Sequence, residues 1–159
     1  MKEKIIEMLH IQEALDNSFM NYMGRTKPLT IEEVQKALFD ECGEVNHAMK
    51  ADWCYWKKSQ KPVDREEVKK ELADVWHFTL SLHRLKNKFE FHEEWVIKCR
   101  KDNDEFDWFE ILKELSLQTY LGIYFVIILT EKLGFTFDEM YEAYIEKNKV
   151  NYERMKEGY

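Results

Sequence analysis

Repeatedly in this chain a Thr or Asp is followed three positions later by Glu, just ahead of an apolar-periodic run, and three such stretches come directly after a Gly or Pro break. The stretches are Thr30-Ile-Glu-Glu33, Asp64 with Glu67, and Thr136-Phe-Asp-Glu139. A side-chain oxygen at the first position accepts from backbone N–H groups that a new helix leaves unpaired, and the Glu can reach back to the first residue's own N–H. Each pattern therefore marks a helix start. Only five Gly and two Pro interrupt the 159 residues, so little stops a helix once begun. Long helices are expected rather than many short strands and turns.

Read in order, the first helix runs from about Lys2 to Met23, with Ile5, Leu9 and Phe19 on one stripe. Gln12 and Asp16 fall on the same stripe. Polar groups on an apolar face need partners, so they either join helices or line a pocket. The second helix starts after Thr30, carries Val34, Leu38, Val45 and Met49, and runs into Trp53, Tyr55 and Trp56. A third opens at Asp64 and reaches about Lys86, its apolar face including Val68, Leu72, Val75, Trp76 and Leu82. A short helix is expected near Glu93 to Lys101. One continuous fourth helix is expected from about Trp108 to Lys132. It is apolar nearly all round between Leu121 and Leu129, which calls for the centre of a bundle or a dimer interface. Gly134 ends it, and a last helix continues to about Lys156. The expected fold class is all-α, a bundle of about five to six helices in a single domain over residues 1–159.

The net charge of −7 speaks against a general nucleic-acid binder, which usually carries a basic face. It leaves room for a small anionic substrate. Cys42, Cys54 and Cys99 make no CxxC pair and leave an odd one over, which fits reduced thiols rather than a disulfide framework. No signal-peptide pattern stands at the amino terminus, and the apolar run of Leu121 to Leu129 is far below the ~20 residues that span a bilayer. The expectation is a cytoplasmic protein with no membrane and no nucleic-acid partner.

Two acid pairs carry the chemistry: Glu41-Cys-Gly-Glu44 and Glu71-Leu-Ala-Asp74. The spacing puts both members of a pair on one helix face, about a turn apart. The pairs share that spacing, lie beside apolar stripes, and sit on consecutive helices that a short loop disposes to pack antiparallel. Four carboxylates brought together repel, and a divalent cation relieves the repulsion. Oxygen-only ligands favour Mg²⁺, with Mn²⁺ as a substitute. A rival comes from another class. Glu44-Val-Asn-His47 and Asp74-Val-Trp-His77 imitate the carboxylate-x-x-His motif of di-iron bundles, although Glu41 and Glu71 come from the same two helices rather than from two others.

On the last helix, Tyr144, Lys147, Asn151, Arg154 and Gly158 share a face, with Asn148 adjacent. A Lys, an Arg and amide groups at one-turn spacing can clamp phosphate. They equally suit a solvated C-terminal helix whose cations face its dipole.

The E-x-x-E and E-x-x-D pairs, with residues 45–70 between them, resemble the all-α nucleoside triphosphate pyrophosphatase superfamily, which includes MazG-like proteins. Within it, Gln12-Glu-Ala-Leu-Asp16, the stretch Glu71 to Ser81, and Tyr144 to Arg154 followed by Gly158-Tyr159 resemble the dimeric dUTPases of phages, some bacteria and trypanosomatids. The resemblance covers most of the chain outside about Lys88 to Asp107. It implies hydrolysis of dUTP to dUMP and pyrophosphate by a cytoplasmic homodimer, with dUDP as a further substrate. It implies that Glu41, Glu44, Glu71 and Asp74 hold Mg²⁺, with one of them, Glu41 foremost, orienting or deprotonating the attacking water. It assigns Lys147, Asn148, Asn151, Arg154 and Tyr159 to the phosphates. Gln12, Asp16, one of Trp53 or Trp56, His77 and Phe78 would form the uracil and deoxyribose pocket. The runner-up is a MazG-like house-cleaning pyrophosphatase acting on another nucleoside triphosphate.

Overall fold

The computed structural model describes residues 1–117 and 120–158. Among them are eight helices and no strand: α1 Lys2–Tyr22, α2 Ile31–Ala48, α3 Lys50–Trp53, α4 Arg65–Asn87, α5 Glu93–Asp102, α6 Trp108–Leu117, α7 Gly122–Lys132 and α8 Phe137–Glu157. The three cap patterns all sit at helix starts. In α2 the Thr30 side chain accepts from Glu33 N (3.3 Å) while Thr30 N donates to Glu33 Oε2 (3.0 Å). α8 repeats this with Thr136 and Glu139 at 3.1 and 2.7 Å. At α4 the Asp64 carboxylate accepts from Glu66 N and Glu67 N instead, at 2.9 and 3.4 Å.

α4 is the axis of the molecule. Its buried positions, from Val68 through Leu72, Trp76 and Leu80 to His83, face helices on several sides. It packs against α1, α2, α7 and α8. Trp76, fully buried, shows how a large polar-tipped side chain is accommodated. Its indole Nε1 donates to Thr130 Oγ1 at 3.1 Å, and the Thr130 hydroxyl donates to Val126 O at 2.8 Å. With its polar atom satisfied, the ring contributes its full apolar area, and truncation to Ala costs ~3–5 kcal/mol. Arg65, at the first turn of α4, donates to Gly134 O at 2.6 Å and lies 4.1 Å from the centre of the Phe135 ring. That contact ties the start of α4 to the corner between α7 and α8. Gly134 has φ +77° there, a conformation that costs glycine least.

The single helix expected over 108–132 is two helices, α6 and α7, packed on one another. The physical reason lies in α7, where every residue from Gly122 to Thr130 is buried. A straight continuation of α6 would leave part of that surface uncovered, whereas α6 folded back supplies one of its walls. Gly122 begins α7 against both neighbours: a Cβ there would stand 3.5 Å from Leu115 Cδ1 and 3.6 Å from Thr79 Cγ2. α7 therefore occupies the centre of the bundle, and its apolar face is consumed within the chain itself. The short α3 adds the other helix beyond the expected count. No helix among the described residues is long and apolar enough to cross a membrane.

Candidate functional site

α2 and α4 run antiparallel, with Val34 and Ala37 beside Phe78 and Ser81 at one end of their contact and Glu41 beside Glu71 and Asp74 further along. The helical repeat then sets the order of side chains along the groove between them. Ala37 and Glu41 are one turn apart on α2, and Phe78, Asp74 and Lys70 are successive turns on α4. Three zones result: an apolar cavity, an acid cluster and a cationic trough.

The acid cluster lies in the middle. Carboxylate oxygens of Glu41, Glu71 and Asp74, each half-buried, lie within 4.8 Å of one another. Burial, then the nearby Asp74 charge, pushes the Glu41 carboxyl up to about 7, against the pull of Lys147. Burial also raises Asp74 above the usual carboxylate range, with the Lys147 ammonium holding it back. Lys147 Nζ donates to Asp74 Oδ2 at 2.5 Å and Lys70 Nζ to Glu71 Oε1 at 3.0 Å. Glu44 does not join the three; it is exposed on the next turn of α2. Cys42, buried behind Glu41, has its thiol pushed up to about 12 by burial.

On the α8 side of the cluster is a trough of about 390 Å³. Ala73, Ala143 and Val150 contribute apolar surface to it, and Lys69, Lys70, Lys147 and Arg154 bring four cations against Glu66 and Glu146. Lys147 and Arg154, expected as a phosphate clamp, both line this trough. Asn148 and Asn151 are not part of this lining. Asn148 is buried with its Nδ2 unpaired, and Asn151 is half-buried. Tyr159 lies outside the described residues.

On the other side is a second cavity, also about 390 Å³, between α1, α2, α4 and the 24–30 loop. Phe19, Met20, Leu29, Val34 and Phe78 make it apolar, and Asp16, Ser81, Arg25 and Glu33 add polar groups. Asp16 is fixed from three directions: Gln12 Nε2 and Ser81 Oγ both donate to Oδ1 at 2.9 Å, and Arg84 Nη2 donates to Oδ2 at 2.8 Å. Gln12 itself is buried, and its Oε1 accepts from Tyr144 Oη at 3.1 Å and from His77 Nδ1 at 2.8 Å. That amide oxygen can only accept, which assigns the proton to Nδ1 and leaves His77 Nε2 as a buried acceptor without a partner. Burial pushes the His77 pKa down to about 3, so the ring is neutral. Its ring also lies 4.3 Å from that of Tyr144.

Of the residues expected at the nucleoside, the structure gathers Gln12, Asp16, His77 and Phe78 around α1 and α4. It places both tryptophans elsewhere. Trp53 donates to Asn46 O at 2.9 Å and lines a different cavity with Trp108 and Phe109. Trp56 is largely exposed, edge-on to Tyr55. The histidines do not complete a di-iron set either. His47 is exposed, and among the described residues the cluster at ligand spacing holds only carboxylates. Lys70, Ser81 and Arg84 were not anticipated. Lys70 had a local signal, one turn before Asp74, whereas Ser81 and Arg84 acquire meaning only once α1 is laid along α4.

An all-helical chain whose acid cluster stands between an apolar cavity and a cationic trough has the makings of a nucleotide pyrophosphohydrolase. Residues 4–159 match the dUTPase family, and the chain belongs to it. It is thus an enzyme of nucleotide metabolism, a dUTP diphosphatase among the nucleoside triphosphate pyrophosphohydrolases. No curated protein matches the chain. The family's general need for a divalent metal meets an acidic cluster of suitable chemistry in Glu41, Glu71 and Asp74.

Proposed function

We propose that the protein hydrolyses dUTP to dUMP and pyrophosphate in a Mg²⁺-dependent reaction at the acid cluster, with Mn²⁺ as a substitute and dUDP as a further substrate. The observation that carries this is the order of the groove: apolar cavity, converging acids, cationic trough. A nucleoside, an α-phosphate and a pyrophosphate leaving group follow one another in the same order.

The donor set fits the metal. Three oxygens within 4.8 Å of one another form a hard, all-carboxylate site, and burial, with neighbouring carboxylates adding to it, raises Glu41 and Asp74, a cost to their charged forms that a divalent cation offsets. Glu44, exposed beside them, stays in the reading as the fourth carboxylate. When bound, the cation supplies positive charge that offsets the polyphosphate and the charge developing at the reacting phosphorus.

The chain's own groups do the rest. Glu41 is a half-buried carboxylate of the cluster that, among the described residues, holds no ammonium of its own, which suits it to accept a proton. It takes the proton from the attacking water as the new bond forms to the α-phosphorus and the bond to the bridging oxygen of the β-phosphate breaks. Lys147 and Arg154 receive the leaving pyrophosphate in the trough, with Asn148 and Asn151 of the same helix, and Tyr159, as further phosphate contacts. Phe78 and the apolar wall of α1 and α2 hold the base. Asp16 supplies a polar edge at the cavity, Gln12 and His77 stand behind it in the same hydrogen-bonded chain, and one of Trp53 or Trp56 would have to move to reach the base. Exclusion of thymine by lack of room for a methyl is worth ~1–3 kcal/mol.

The reading also includes a single domain over residues 1–159, a cytoplasmic location, no nucleic-acid partner and a homodimer. The dimer would not use α7. Exposed apolar side chains such as Phe39 on α2 and Leu117 on α6, 63% and 67% exposed, are what an interface could cover. Pyrophosphate release from a panel of dUTP, dTTP, dCTP and UTP, each with and without Mg²⁺, tests the reaction. Turnover confined to dUTP with Mg²⁺ is expected; equal turnover of dCTP would overturn the base assignment, and turnover in excess chelator the metal.

A further inference from the structure

Two of the three converging carboxylates already hold an ammonium. Lys147 is on Asp74, with side chains only 13% and 14% exposed, and Lys70 is on Glu71, at 62% and 16%. Among the described residues Glu41 has no ammonium at ion-pair distance. The same two lysines line the trough in which the phosphates are placed. Each therefore stands between two kinds of anion, its present carboxylate and a phosphate oxygen.

We propose that Lys70 and Lys147 are exchangeable counter-ions: they neutralise Glu71 and Asp74 until a divalent cation takes those carboxylates, and are then released into the trough, where both bind phosphate oxygens. The inference rests on the metal-site reading above and adds Lys70 to the phosphate-binding residues. The chemistry of lysine suits the task. Its ammonium is a point charge on a flexible stem and can change partner by side-chain rotation, unlike the planar fork of arginine. Arg84, bonded to Asp16, shows the fixed alternative in the same groove. An ammonium and a divalent cation held on one poorly solvated carboxylate repel each other, so the two compete. Competition makes metal and phosphate binding cooperative, because each metal that binds frees cations for phosphate, and by linkage phosphate promotes metal binding to the same degree.

The test is Mn²⁺ affinity of the nucleotide-free protein, read from the electron paramagnetic resonance of free Mn²⁺. Lys147→Gln removes an internal competitor and is expected to tighten Mn²⁺ binding by about five-fold or more. Lys70→Gln does the same to a smaller degree, because its pair is more exposed. Lys149→Gln removes an equal charge two residues along α8, where the lysine pairs with Glu146, and should leave the affinity as it is. Unchanged or weaker affinity in Lys147→Gln, or an equal gain in Lys149→Gln, would overturn the proposal. The native chain gives a second readout. The ¹⁵N-edited signal of the Lys147 ammonium, assigned by its loss in Lys147→Gln, should shift when Mg²⁺ is added and return with chelator; an unmoved signal in saturating Mg²⁺ overturns the exchange. Calorimetric titration of pyrophosphate into Mg²⁺-saturated protein should show weaker binding in Lys70→Gln, and equal binding removes Lys70 from the trough. Glu71→Gln separates the two layers. If it leaves Mn²⁺ binding intact, the metal site itself is wrong; if it abolishes binding while the lysine variants have no effect, only the exchange is.

Discussion

Two polar clusters share α4 at neighbouring turns and are built on opposite terms. Around Asp16, Gln12, Ser81, Arg84 and Tyr144, donors meet acceptors at 2.8 to 3.1 Å. Around Glu41, Glu71 and Asp74, like charges converge and burial raises Glu41 and Asp74. The first arrangement stabilises the fold, since buried polar groups left unpaired are costly. The second is offset only in part, by the Lys147 and Lys70 ammoniums on Asp74 and Glu71. The contrast separates residues that hold α1 on α4 from residues that await a charged ligand.

The largest expected effect is at the acids. Glu71→Gln should lower turnover of dUTP by about 10²-fold or more, while the thermal midpoint of metal-free protein stays level or rises because a repulsion is gone. A fall in that midpoint would make Glu71 part of the stabilising cluster and erase the distinction. Asp16→Ala should do the reverse. It leaves the Arg84 guanidinium, whose side chain is 15% exposed, without its main partner, at a cost of ~3–5 kcal/mol. Denaturant unfolding should show that loss, and Mn²⁺ affinity should not change.

pH should separate the clusters next. His77 has a folded pKa of about 3 against an ordinary 6.5. Its contribution is complete above pH 6.5 and is lost as the pH falls toward 3, because the unfolded chain then binds the extra proton. Between pH 6.5 and 5 that amounts to ~2 kcal/mol, and His83, also lowered by burial, acts in the same direction. Glu41 has the opposite sign. Its pKa is raised from 4.5 to about 7, so the stability it favours is present below pH 4.5 and lost as the pH rises through 7. Denaturant midpoints should therefore rise less between pH 4.5 and 6.5 than His77 alone dictates and fall slightly from 6.5 to 7, and Glu41→Gln should remove that restraint. A curve unchanged by Glu41→Gln would mean that the carboxyl titrates normally. The smallest effect is expected from Glu44→Gln. An exposed ligand should cost turnover less than Glu71→Gln does, and an equal loss would bring Glu44 into the cluster.

What was legible in the sequence was local. The caps of α2 and α8 are written within four residues, and the acid pairs declare a shared face by spacing alone. Antiparallel α2 and α4 then bring Glu41 to Glu71 and Asp74. What was not legible depends on which face meets which neighbour. The α8 stripe from Tyr144 to Gly158 was evident, but not that Tyr144 turns inward to Gln12 and Met8 O while Lys147 and Arg154 turn to the trough. The break between α6 and α7 follows from the burial of α7 on all sides, a demand the sequence states without saying where the chain reverses. The resemblance implied one of Trp53 or Trp56 beside the base, yet both follow the first acid pair and lie at the opposite end of α2 from the apolar cavity.

The burial of α7 inside one protomer has a thermodynamic consequence. A dimer whose shared surface completes the core loses its fold when its halves part, so its melting temperature climbs with protein concentration. Here the most apolar helix is covered by the chain's own α4, α5, α6 and α8. Parting from any second copy would leave that core intact, and dissociation and unfolding become separate events. A folded, cooperatively melting monomer should then persist at high dilution, with a melting temperature that stops shifting once no second copy is bound.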